Sequence, residues 1–154
     1  TSYSLLSMKF LVLAPLLLLG ILLSSCKSRP VDPETYTKRI VKFGSGGGFT
    51  GFYTHYQLLE NGDLFMQKDP DSTMQYLLRV KKKLRKPVFA QLDSIEIEAF
   101  AYDQPGNLSQ YVETSFGERS VRSTFTAGDL NVPIPAKELY QSLIQLIPLD
   151  TAKP

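Results

Sequence analysis

The chain has 154 residues, with 17 Lys and Arg against 15 Asp and Glu, a formal charge of +2, one Cys and one His. That balance excludes the concentrated positive field of a nucleic-acid binder, and a lone Cys excludes both a disulfide framework and a thiolate metal cluster. Eight Tyr and nine Phe without Trp, set among many Thr, Val and Gly, lean toward strands.

The chain opens on a leader. Met8-Lys9 form a short positive start, Phe10 to Leu23 is an apolar run of 14 residues containing Pro15, and Leu23-Ser24-Ser25-Cys26 closes it. The run is shorter than the roughly 20 residues that a spanning helix needs, so it reads as a cleaved segment and not as a transmembrane anchor. Leu23-Ser24-Ser25-Cys26 resembles the lipobox of bacterial lipoproteins. The resemblance implies cleavage before Cys26, a thioether-linked diacylglycerol on its sulfur and an acylated amino group. One acyl chain anchors only marginally at roughly 0.8 kcal/mol per buried methylene, whereas two or three on one residue anchor stably. Residues 1–25 are then the leader, with 8–25 the signal peptide and 1–7 an extension upstream of a start at Met8. Position 27 is Lys and not Asp, and no acidic cluster follows. The resemblance therefore implies the outer membrane, facing the periplasm.

Residues 26–37, polar and containing Pro30 and Pro33, read as a lipidated tether, and residues 38–150 as a single domain. Within it, Arg39 to Phe43 is expected as a first strand. Phe49 to Leu59 is expected as a second, with Phe52, Thr54, Tyr56 and Leu58 on one face and Tyr53, His55 and Gln57 on the other. Asn61-Gly62 predicts a two-residue hairpin turn, because both central positions of a type I′ turn need positive φ. Asp63 to Lys68 follows as a third strand, Asp69-Pro70-Asp71-Ser72 as a turn, and Gln75 to Lys81 as a fourth strand. Lys86-Pro87 is expected to open a helix through Val88, Phe89, Leu92 and Ile95, since Pro suits the first helical turn. Leu108 to Thr114 and Arg119 to Thr126 form a second hairpin around Gly117-Glu118. Ala136 to Ile147 carries an apolar stripe of Leu139, Tyr140, Leu143, Ile144 and Ile147, ended by Pro148. This order predicts an α+β fold: an antiparallel sheet of about five to six strands with both helices on one face.

No arrangement of residues announces catalysis. Gly44-Ser45-Gly46-Gly47-Gly48-Phe49-Thr50-Gly51 lacks the Gly-Lys-Ser/Thr ending of a phosphate loop and leads into a strand, not a helix. It reads as a wide, flexible connection with Phe49 capping one edge of the core. Such a loop on a rigid sheet is where partner contacts lie. His55 has no Cys or His to join it as a ligand and reads as a structural residue. No G-x-S-x-G elbow is present, and Glu96 and Glu98 fall on different faces of a helix, so the chain is expected not to be an enzyme and to hold no metal or cofactor. Lys81-Lys82-Lys83-Leu84-Arg85-Lys86 reads as a solvated turn before the helix, with attraction to anionic lipid headgroups as its functional alternative.

Ser45-Gly46-Gly47-Gly48-Phe49-Thr50-Gly51, in this order of elements, resembles the emfourin-type domain, whose members associate with thermolysin-like metalloproteases and can inhibit them. Gly47, Gly48, Phe49 and Gly51 match the family's glycine segment. The longer stretch from Asn61 to Lys86 departs from it, and family members are not generally lipid-anchored. The chain also looks like small Gram-negative lipoproteins that carry N-G-D and P-G-N turns and have no assigned activity. What the resemblance implies is a lipid-anchored, non-catalytic envelope protein. It would bind a periplasmic protein, most sharply a thermolysin-like metalloprotease, through Gly47, Gly48, Phe49, Gly51, Phe52 and Tyr53. The alternatives are a structural envelope-assembly lipoprotein and a small-ligand or lipid carrier using the concave sheet face.

Overall fold

The computed structural model describes residues 29–68, 73–116 and 119–149. The leader, Cys26 and the expected turns at 69–72 and 117–118 lie outside these residues. The strands are β1 (Ile40–Gly47), β2 (Tyr53–Leu59), β3 (Asp63–Lys68), β4 (Gln75–Arg79), β5 (Tyr102–Asp103), β6 (Leu108–Phe116) and β7 (Arg119–Thr126). The helices are α1 (Lys82–Asp93) and α2 (Ile134–Ile144), with short 3-10 turns at Pro33–Thr35 and Gly48–Thr50. The strands form one sheet in the order β4-β3-β2-β1-β6-β7-β5. The α+β class holds. The expectation of a purely antiparallel sheet of five to six strands does not: there are seven, and β5 runs parallel to β7.

Alternation along the strands builds the core. Val41 and Phe43 of β1 lie opposite Leu58 and Tyr56 of β2, and Phe43 also faces Val112 of β6. Leu64 and Met66 of β3 continue this row beyond Leu58 and Tyr56. All are buried, and they join Val88, Phe89 and Leu92 of α1 with Ala136, Leu139, Tyr140 and Leu143 of α2 in one cluster. Both helices therefore cover the same face of the sheet. Phe43 stacks on Tyr56 at 5.2 Å, and Phe125 of β7 meets Tyr140 edge-on at 5.6 Å. Each fully buried side chain of this kind contributes roughly 1.5–3 kcal/mol.

Helix α1 begins a turn earlier than expected, at Lys82, and Pro87 lies inside it. Pro87 cannot donate to the carbonyl four residues back, but that residue, Lys83, is exposed and water can take its place. Packing of Val88, Phe89 and Leu92 outweighs the poor start. So does Arg85, whose Nη1 donates to the Glu60 carbonyl. The basic run is thus the first half of a helix, not a turn ahead of one.

The Asn61 turn also differs. Gly62 N–H donates to the Leu59 carbonyl at 2.8 Å, so Glu60 and Asn61 are the central residues and Gly62, at φ 101°, follows them. A three-residue loop with a positive-φ glycine replaces the two-residue one. The extra residue turns Asn61 toward the chain that enters the domain: Asn61 N–H donates to the Tyr36 hydroxyl at 2.9 Å. Val31 N–H donates to Asp63 Oδ2 at 3.1 Å. The expected tether is therefore fastened to the sheet from Val31 to Tyr36.

Candidate functional site

The glycines do not form a wide connection. Gly44 to Gly47 lie within β1, and the reason is steric. On the helix-free face Gly44 sits between His55 and Tyr111, and Gly46 between Tyr53 and Ser109. A Cβ on Gly44 would stand 2.9 Å from Tyr111 Cε1, and one on Gly46 would stand 2.6 Å from Tyr53 Cγ. Glycine lets rings from the neighbouring strands lie across β1, as in the aromatic covering of bare strand glycines. Gly46→Ala puts the new Cβ against the Phe52 carbonyl oxygen as well as the Tyr53 ring, so it is expected to push β2 away from β1, expel the ring and cost about 1–3 kcal/mol or more in urea unfolding. An unchanged midpoint together with unchanged tyrosine fluorescence would show that the ring does not rest there.

The chain reverses at the end of β1. Gly47, Gly48 and Gly51 take φ values of 99°, 68° and 66°, which only glycine adopts without strain. Gly47 N–H donates to the Phe52 carbonyl at 3.0 Å and Gly51 N–H to the Gly48 carbonyl at 3.3 Å. Gly48 N–H donates to the Asn107 carbonyl, which ties the tip to the loop ahead of β6. The tip is pinned at its base and not loose. Phe49 does not cap the core: it is fully exposed, because the 3-10 turn points it away from the sheet. Tyr140 of α2, 4% exposed, closes that end of the core edge-on to Phe125. Phe52 is 62% exposed, and Leu108, paired with Gly47, is 60% exposed.

Five of the six expected site residues thus meet at one tip. Tyr53 does not join them. It is half-buried over Gly46 and stacks on His55, centroids 5.8 Å apart. Leu108 belongs with the tip, and its sequence signal was faint: an apolar residue directly after the Pro105-Gly106-Asn107 turn.

The helix-free face carries a second constellation that the sequence left scattered. His55 Nδ1 and the Tyr111 hydroxyl are 2.5 Å apart, and the Arg122 guanidinium lies 3.8 Å from the Tyr111 ring centroid. Glu113 approaches Arg122 at 3.9 Å and Lys42 at 4.0 Å. Burial lowers the His55 pKa, and the Arg122 charge lowers it further. Burial likewise raises that of Tyr111. Both shifts favour neutral forms, so the imidazole and the Tyr111 hydroxyl share one hydrogen bond between uncharged groups, its direction set by the His55 tautomer. The pair bridges β2 and β6 over Gly44 of β1. Among the described residues no three His, Cys, Asp or Glu side chains converge as metal ligands would.

A groove of about 460 Å³ runs between α2 and the loop after β7, lined by Phe125, Asp129, Val132, Lys137 and Tyr140 among others. It lies on the helix-bearing side, at the same end of the sheet as the glycine tip. Comparison with family models and with curated proteins finds no match for this chain.

Proposed function

We propose that this chain is a lipid-anchored, non-catalytic envelope protein whose domain presents the glycine tip to a protein partner. One observation carries the reading. Phe49, Phe52 and Leu108 are exposed at one end of the sheet, and the incoming chain is fastened at the other, to Asn61 and Asp63. A domain held through Cys26 would present those side chains away from its anchor. Exposed apolar groups on a backbone already fixed by hydrogen bonds lose little freedom on binding, and aromatic anchors dominate interface energies. The resemblance to emfourin-type domains favours a thermolysin-like metalloprotease as the partner, in the periplasm.

Phe49→Ala is expected to leave unfolding within about 0.5 kcal/mol of the parent, since the ring touches no core. It is expected to weaken partner binding on the order of thirtyfold. Residual protease activity, titrated with the mature chain, measures the second effect. Activity unchanged over an excess of the chain removes the protease as partner. A photo-crosslinker at position 49 that yields no saturable adduct in the envelope removes the binding module itself and leaves the structural alternative. The carrier alternative would use the concave sheet face, and a ligand mass retained in native mass spectrometry would favour it.

A further inference from the structure

We infer that the lysines opening α1 form a membrane-facing surface that receives the phosphate headgroups of an anionic bilayer. The inference rests on the anchoring proposed above for its distance to the membrane. Lys81, Lys82, Lys83 and Lys86 are all exposed. None of the ion pairs among the described residues involves them, and the nearby carboxylates of Glu60 and Asp93 are both taken by Arg39. Folding does not account for their placement. Cations at the start of a helix oppose its dipole, and the first turn holds no acid to compensate.

Their position supplies the reason. Val80 N–H donates to the Gly62 carbonyl at 2.8 Å, and Arg85 reaches Glu60, so the start of α1 is fixed to the Asn61 turn. The same turn binds Tyr36, and Asp63 beside it binds Val31. The lysines and the entering chain therefore share one end of the sheet, and the glycine tip occupies the other. From Val31 back to Cys26 is five residues, at most about 18 Å when fully extended. A lipid on Cys26 would hold this basic end close to the headgroups, where screening over about 10 Å still leaves attraction. Each lysine near such a surface raises partitioning about fivefold.

The test uses the mature chain with Cys26→Ser, so that no acyl group contributes, and vesicles of phosphatidylcholine alone or mixed with phosphatidylglycerol. Co-sedimentation with the mixed vesicles only, declining as salt is added, is the expected result. Replacing Lys82, Lys83 and Lys86 together by Gln is expected to reduce it on the order of a hundredfold while the circular-dichroism melt is kept. Equal partitioning onto both vesicle types, or a triple variant that partitions like its parent, overturns the inference. The anchor is read separately, from the mass of the wild-type protein extracted from cells. An unmodified Cys26 there removes the anchoring proposal whatever the vesicles show.

Discussion

Asp63→Ala is expected to cost about 3 kcal/mol of stability, read as a shift of the urea midpoint. The Asp63 side chain is fully buried. Its Oδ1 accepts from Arg79 Nε at 2.7 Å, and its Oδ2 accepts from Asn61 Nδ2 at 2.8 Å and Val31 N–H at 3.1 Å. Arg79 Nη2 donates to Oδ2 as well, at 3.1 Å, so removing the carboxylate takes the acceptor from four donor groups on three residues. Arg79 is about a third exposed and can turn to water, which keeps the loss below that of a fully enclosed pair. Burial opposes the charge on Asp63, but Arg79, Val31 and Asn61 outweigh it, and the carboxyl titrates below its ordinary 3.8. A group whose pKa is depressed by folding adds stability above its unfolded value and loses it as pH falls through the folded one. The parent should therefore weaken below about pH 4, and Asp63→Asn should flatten that part of the profile. Parallel acid limbs for parent and variant would show that Asp63 is not the titrating group. Amide exchange at Val31 offers a second readout, since Asp63→Ala frees that N–H.

Phe100→Ala is expected to cost about 3–5 kcal/mol, the range for emptying the place of a fully buried Phe. Phe100 belongs to no helix or strand, yet it is 0% exposed and joins the core cluster. Two turn bonds, from Phe100 N–H and Ala101 N–H to the Ile97 carbonyl, set it in place, and its own carbonyl accepts from the Ser123 hydroxyl. It thereby leads the chain into β5, just past which Gln104 N–H donates to the Thr124 carbonyl at 2.9 Å. The variant should exchange its Gln104 amide faster in step with the lost stability, and Phe100→Leu should fall between the two. A loss below about 1 kcal/mol would mean that the site collapses around the gap.

The contrast between Phe100 and its surroundings explains what was legible in the sequence. Strand β2 follows from its aromatic and Thr content with alternating faces, β3 from the Asn61-Gly62 turn, and β6 and β7 from the turn signal between them. The α2 stripe holds at Leu139, Tyr140 and Leu143 and fails at Ile144, which is 41% exposed. Phe100 sits in an aperiodic stretch, and β5 has two residues, too few for any period to register. The glycine segment conceals its structure for a related reason. Gly44 and Gly46 suggest looseness when taken alone, and only strand register reveals that Tyr53 and Tyr111 occupy the room they leave. The tip itself was readable, since Gly47, Gly48 and Gly51 bracket Phe49 at the point where the chain must reverse. The direction of Phe49 was not, because it depends on the 3-10 turn. Strand pairing sets Tyr53 on the open face with His55, although it follows Phe52 directly in sequence.

The two borders of the sheet bear on how copies of this domain meet one another. Strand β4 is five residues long and is paired to β3 through a bulge between Leu64 and Phe65, and β5 on the opposite border has only two residues. Neither border offers the long flat row of free peptide groups on which a second molecule could extend the sheet. If copies are crowded into two dimensions by an acyl anchor, they would collide often. Short, irregular borders would keep those encounters from growing into stacked ribbons and leave the Phe49 tip free for a different protein.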